Sequence, residues 1–150
     1  MNNIIPVVKT HPDAIIPERK TLGSVGYDLY SIDDKYLSPG ERKWINTGIS
    51  LALPFGYYGK IEARSSHAEM GLDLGAGVID SDYRGEIRVL LINNIIPSHT
   101  QNSIFRIKKG MRIAQLIILK YETVVFEEAK IGELSKTERG DKGFGSTGLY

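Results

Sequence analysis

The sequence has no cysteine, which excludes disulfides, thiolate metal ligands and a cysteine nucleophile. It also lacks an excess of charge, since 19 Lys and Arg face 18 Asp and Glu for a net charge of +1. No long-range field draws such a chain towards nucleic acid or anionic lipid, so any anion it binds must be held locally. Long apolar runs are missing too. The most aliphatic stretch, Leu116 to Leu119, falls far short of the roughly 20 residues that span a bilayer. Between Met1 and Pro12 the apolar pieces are broken by Pro6 and Lys9, so no signal-peptide core forms. A soluble, intracellular protein is expected, with neither membrane nor nucleic acid as a partner, and nothing separates cytoplasm from nucleus. Histidine is scarce: His11, His67 and His99 match no metal-site spacing, and each is expected to be a surface or loop residue. With no nucleophile–histidine signature either, a carboxylate acting on water is a better candidate than a covalent intermediate.

What is present is glycine. There are 16 in 150 residues, above the ~7% average, and they fall between short stretches in which apolar and polar residues alternate. That pattern predicts an all-β fold, and the length suits a single domain over 1–150. Ile49, Leu51 and Leu53 alternate with Ser50 and Ala52, and the stretches from Ile87 to Asn93 and from Arg112 to Lys120 read as two further buried strands. Turns are expected at Ser38-Pro39-Gly40, Phe55-Gly56 and Arg84-Gly85. The polar segment 94–102 is expected to be a hairpin loop. One short helix is predicted after Arg64, where Ser66 and Glu69 have the spacing of a capping box, ending near Gly71. From about Gly132 to the last residue, charges and small residues dominate, so this tail cannot order itself by burial alone.

Several segments carry chemistry-bearing residues. Gly143-Phe144-Gly145-Ser146-Thr147-Gly148 satisfies G-x-G-x-x-G, but the dinucleotide fingerprint needs a preceding strand and charged sequence without strand character stands there. No Lys follows the last glycine, which excludes a Walker loop. The segment is then either an unordered tail or a loop whose backbone N–H groups approach an anion beside Arg139, Ser146 and Thr147. Phe144, a solitary aromatic in a polar tail, suits stacking on a base. Asp80, Asp82 and Gly85 imitate a calcium loop, but Arg84 and Leu91 stand where two further oxygen ligands are needed. A helix start with Arg64, Ser65 and Ser66 is either an anion site or simply a capped end. Gln115, on one face with Ile113 and Ile117 of an alternating strand, is either a satisfied buried amide or a ligand contact. Tyr27 and Asp28 after Gly26 fit a turn entering a strand.

Taken in order, these segments resemble the motifs of the homotrimeric dUTPase family. They are Gly26-Tyr27-Asp28-Leu29, then Arg64-Ser65-Ser66, then Gly75 to Asp80 continuing through Asp82-Tyr83-Arg84-Gly85. Arg112-Ile113-Ala114-Gln115-Leu116 follows, and last Arg139-Gly140 with Gly143 to Gly148, so the likeness runs from about Gly23 to Gly148. The resemblance implies a distorted jelly-roll, or β-clip, barrel with one short helix. It implies a homotrimer whose C-terminal arm, from about residue 132, closes over a neighbouring subunit's site. The implied reaction is Mg²⁺-dependent hydrolysis of dUTP to dUMP and pyrophosphate by water attack on the α-phosphorus, limiting uracil in DNA and supplying dUMP for dTMP synthesis.

The resemblance also implies roles. Asp80 orients and deprotonates the attacking water, unless it merely caps the hairpin. The third motif is a β-hairpin whose backbone reads uracil, with Gly77 and Val78 on one arm, the main chain of Arg88 on the other and Ile79 as a further substrate contact. Tyr83 packs on the deoxyribose and leaves no room for a 2′-hydroxyl. Arg64, Ser65, Ser66 and Gln115 hold the inner phosphates, while Arg139, Ser146 and Thr147 close over the γ-phosphate, Phe144 stacks on uracil and Gly145 is a further substrate contact. Asp28 reaches Mg²⁺ through water, the phosphates holding the ion. Val25, His67 and Met111 stand where the family more often has alanine, an apolar residue and aspartate, and the 94–102 loop is longer than in compact relatives. Two rivals are a dCTP deaminase, which lacks this glycine-rich fifth motif, and a nucleotide-gated regulator on the same fold, which would lack Asp80 or carry an inserted domain.

Overall fold

Eleven strands and one helix make up the regular structure of residues 4–96 and 103–143, the part described by the computed structural model. The chain begins with β1 (Val7–Lys9), β2 (Tyr27–Tyr30), β3 (Lys35–Leu37), β4 (Arg42–Asn46), β5 (Ile49–Leu51) and β6 (Tyr57–Glu62). It continues through α1 (Ser65–Glu69), β7 (Leu72–Leu74), β8 (Val78–Ile79), β9 (Arg88–Asn93), β10 (Phe105–Ile107) and β11 (Arg112–Lys120). All pairings are antiparallel: a sheet in the order β2-β11-β6-β8, a second in the order β4-β9-β7, and the pairs β1-β5 and β3-β10.

Alternation explains the core. In β9, Val89 and Leu91 are buried while Arg88 is exposed, as expected where one sheet face packs inward. They meet Ile45 of β4, Leu29 of β2, Ile61 of β6 and Leu116 of β11, with Leu37, Ile49 and Ile107 from the two-stranded pairs. Each such side chain contributes about 1.5–3 kcal/mol when fully buried, so a one-residue slip of β9 would exchange that for a buried arginine. The turns at Ser38–Gly40 and Phe55–Gly56 fall between β3 and β4 and between β5 and β6. Among the described residues no helix is long and apolar enough to cross a membrane.

Two local expectations are corrected. The helix starts at Ser65 with Arg64 as N-cap, and no side chain caps it. Ser66 and Glu69 are both inside the helix, where the same spacing is simply one turn along a face. The strands that flank the segment 94–102, β9 and β10, pair with different neighbours and not with each other, so they are not the two arms of the expected hairpin; residues 97–102 lie outside the described residues.

The ends of that connection are tied by Asn93. Its Nδ2 donates to the carbonyls of Leu37 (2.9 Å) and Ser103 (2.8 Å), and its Oδ1 accepts from the N–H of Ile95 (2.9 Å). The residue is fully buried, so Asn93→Ala leaves these groups without the amide. A loss of about 3 kcal/mol in unfolding free energy is expected, read by urea denaturation.

Beyond Lys120 every described residue is exposed; Tyr121 still rests edge-on to Phe55 and Tyr58, and the exposed stretch that follows it starts ahead of Gly132. Val125, Phe126 and Ile131 are more than 90% exposed, a run of apolar surface that a solvated tail does not need.

Candidate functional site

The first cleft, of about 390 Å³, lies where α1, β2 and β11 converge, a size that suits a small ligand. Lys20, Arg64 and Arg112 face into it with Asp28 as its one carboxylate, so cations are concentrated here although the whole chain is nearly neutral. Such a cluster is the local anion field that the composition requires. Asp28 is buried, with Oδ1 3.4 Å from Arg64 Nε and Oδ2 3.3 Å from Arg112 Nη1. One carboxylate therefore orients two guanidinium groups. Ser65 and Ser66 open α1 at the rim, exposed and lining the same cleft.

Gln115 completes the wall. Its Nε2 donates to the Ala63 carbonyl at 2.9 Å, and its carboxamide lies so close over Gly26 that a Cβ there would collide with it. A side chain at that position would push the carboxamide out of its present place beside the Ala63 carbonyl. The smooth alternation expected through Ile113, Gln115 and Ile117 breaks. Against β2, Arg112 pairs with Tyr30 and Ala114 with Leu29, so Ile113 is an extra residue in a β-bulge. Ile113 is wholly buried in the core while Gln115 lines the cleft. Residues 112 and 115 would point to opposite faces of a regular strand, and the bulge brings Arg112 and Gln115 to one side.

A second cleft is lined by Trp44, Val78, Ile79, Asp80, Tyr83, Glu86 and Arg88. Tyr83 donates its hydroxyl to the Glu86 carbonyl at 3.1 Å and lies across Gly85. The Arg88 guanidinium stands 5.1 Å from the Trp44 ring centroid, a cation–π distance. Asp80 is exposed at the end of β8, and among the described residues its carboxylate takes no hydrogen bond or ion pair; only its main-chain carbonyl is engaged, by Tyr83 N–H at 3.2 Å. Gly77 accepts from Ile61 N–H at 2.8 Å, and a Cβ on it would stand 2.7 Å from the Ile61 carbonyl oxygen. The expected hairpin is closed at its base, where Leu72–Leu74 pair antiparallel with Leu91–Asn93 and Gly75 N–H donates to the Leu90 carbonyl at 2.9 Å; past Gly75 the first arm leaves β9 and pairs as β8 with β6.

The expected residues are thus gathered into two groups. Asp28, Arg64, Ser65, Ser66 and Gln115 share the first cleft, and Val78, Ile79, Asp80, Tyr83 and Arg88 share the second, with Gly77 beside it. Arg139 lies in the exposed stretch beyond β11 and lines neither cleft. Phe144, Gly145, Ser146 and Thr147 lie outside the described residues. Lys20, Arg112 and Trp44 were given no role by sequence reasoning. Lys20 sits in a charged run that looks like solvated surface, and Arg112 reaches the cleft only through a bulge that no pattern announces.

His67 overturns its expectation as a surface or loop residue. It is 3% exposed, its Nδ1 is 3.2 Å from the Ile113 carbonyl oxygen, and its ring stands edge-on to Phe105. Burial holds its pKa below the usual histidine value, with nearby Arg64 acting in the same direction.

Comparison with known proteins follows the same lines. The dUTPase family model matches residues 12–148. The chain is 45% identical to the deoxyuridine 5'-triphosphate nucleotidohydrolase of Monkeypox virus, over 99% of this chain and 93% of the relative. It is also 45% identical to that of Vaccinia virus (strain Copenhagen), over 99% and 96%. Among solved structures it is similar to a mutant dUTPase of Staphylococcus bacteriophage 80alpha with dUpNHpp, at a TM-score of 0.88 and 29% identity over 99% of this chain and 100% of the other. A mutant dUTPase from phage phi11 of S. aureus, described as revealing the coordination of a structural Mg(II) ion, gives 0.80 at 26% identity over 88% and 100%.

Proposed function

The chain belongs to the dUTPase family and is a dUTP diphosphatase, and we propose that it works as a homotrimer in which the two clefts meet across subunits. The observation that carries this reading is the division of the motif residues: phosphate-type groups occupy one cleft and base- and water-directed groups another. The apolar run around Val125, Phe126 and Ile131 supports it, since these side chains need a surface that their own chain does not provide. The tail then reaches a neighbour's site with Arg139, Phe144, Gly145, Ser146 and Thr147.

Base choice follows from backbone geometry. β8 is an edge strand, with β6 on one side only, so its outward N–H and C=O groups are open to a ligand. Arg88, at the start of β9, lies past the last register partner of β7 and is open on that side. Backbone groups that donate to uracil O4 and accept from N3–H face the wrong pattern in cytosine, costing roughly 1–3 kcal/mol for each group left unpaired. Tyr83, tied by its hydroxyl to Glu86, is held rigidly where it would exclude a 2′-hydroxyl.

The first cleft takes the triphosphate. Arg64, Ser65, Ser66 and Gln115 bind the inner phosphates, with Lys20 and Arg112 adding charge. Among the described residues no group of three or more His, Cys, Asp or Glu could cage a metal. A single carboxylate already engaged by two arginines fits a Mg²⁺ carried mainly by the phosphates, which Asp28 would reach through water. The ion, when bound, offsets the charge of the phosphates. Asp80 takes the proton of the water that attacks the α-phosphorus in line; the bond from that phosphorus to the α–β bridging oxygen breaks, and the β- and γ-phosphates leave together as pyrophosphate.

Pyrophosphate release should be measured from dUTP, dCTP, dTTP and UTP with and without Mg²⁺. A strong preference for dUTP that depends on Mg²⁺ is expected; comparable rates with dCTP or UTP would overturn the base and sugar readout.

A further inference from the structure

The two walls of the phosphate cleft come from different elements: Arg64, Ser65 and Ser66 from the start of α1, Arg112 and Gln115 from β11. His67 ties one wall to the other from behind. It follows the two serines in α1, but it is buried where they are exposed, with Nδ1 3.2 Å from the Ile113 carbonyl oxygen and its ring 5.7 Å from that of Phe105 at 71°. A carbonyl oxygen only accepts, so Nδ1 carries the hydrogen. The partner is not an ordinary strand residue. Ile113 is the bulged residue, without a register partner on β2, and a buried carbonyl displaced from a ladder must find a donor elsewhere. The bulge is also what turns Arg112 and Gln115 to the same side.

We propose that His67 is a positioning residue: its Nδ1–H holds the bulge at Ile113 and so fixes Arg112 and Gln115 opposite Arg64, Ser65 and Ser66 for the triphosphate. This rests on the reading of that cleft as the phosphate site. Removing the donor lets the bulge relax, and a regular strand would carry either Arg112 or Gln115 away from the ligand. The loss falls on phosphate recognition and not on the uracil-facing groups around Val78 and Tyr83.

The test compares His67→Leu, which fills the space without a donor, with His67→Asn, whose amide N–H can reach the same carbonyl. Steady-state kinetics on dUTP are combined with the Kd for deoxyuridine. For His67→Leu, KM is expected to rise roughly tenfold, the scale of one lost hydrogen bond, with kcat changed far less and deoxyuridine binding unchanged. His67→Asn should return KM to near the parent value. Equal KM values for all three proteins, equal impairment of both variants, or a matching loss of deoxyuridine affinity would each overturn the proposal. If His67→Leu does not fold, His67→Met takes its place with the same expectations, and failure of both to fold would show a determinant of the fold instead. Arg64→Ala separates the two levels. Unchanged KM there would remove the cleft as the phosphate site, whereas a raised KM with His67→Leu unaffected would remove only the role of His67.

Discussion

Asp80→Asn is expected to lower kcat for dUTP by about 10³-fold, the scale of a lost general base, while dUTP still binds. Asparagine keeps the size of the side chain and one acceptor oxygen but cannot take a proton. In the free chain the Asp80 carboxylate is exposed and, among the described residues, unengaged, so it is available to a water molecule. A capping role for the side chain finds no support, because the bond that closes this turn runs from Tyr83 N–H to the main-chain carbonyl of Asp80. The substitution should therefore leave thermal unfolding unchanged. Single-turnover release of pyrophosphate, set beside calorimetric binding of dUTP, separates chemistry from binding. Turnover near the parent rate would remove Asp80 from the mechanism, and loss of binding in step with rate would make it a substrate contact.

Long-period patterns were legible and local exceptions were not. The strands over 49–51 and 88–93 could be read because each buries alternate residues against the same core, and that over 112–120 because its apolar residues join it. The three-residue strands β1, β3 and β10 exist only because β5, β10 and β3 lie beside them, and a pairing between distant segments leaves no periodic trace. The motif residues of each cleft were found, yet their division between two clefts was not, since that depends on how β8 and β9 join separate sheets. The bulge at Ile113 hides inside a sequence whose alternation looks unbroken, and it decides where Arg112 points. His67 hides for the opposite reason. Amid Arg64, Ser65, Ser66 and Glu69 it looks like one more polar surface residue, and only packing of α1 against β11 and Phe105 buries it.

Ending the chain at Glu138 is expected to cut kcat/KM for dUTP on the order of 10²-fold or more, the scale of losing a positioned donor and the exclusion of water. Oligomer mass should not change. The argument turns on where the apolar residues lie. Val124, Val125, Phe126, Ile131 and Leu134 all precede Glu138 and are exposed on their own chain, so the surface offered to a neighbour survives the truncation. What is removed is Arg139, Gly140, Gly143 and the segment to Gly148, residues proposed to close over the phosphates and stack on the base. Ending the chain at Lys120 removes the apolar run as well and should leave monomers by sedimentation or light scattering. If the chain ending at Glu138 is already monomeric, the last residues hold the assembly together and are not a lid. If it stays trimeric with parent activity, closure over the γ-phosphate contributes nothing to the rate, and the clefts on the barrel must bind and exclude water without it.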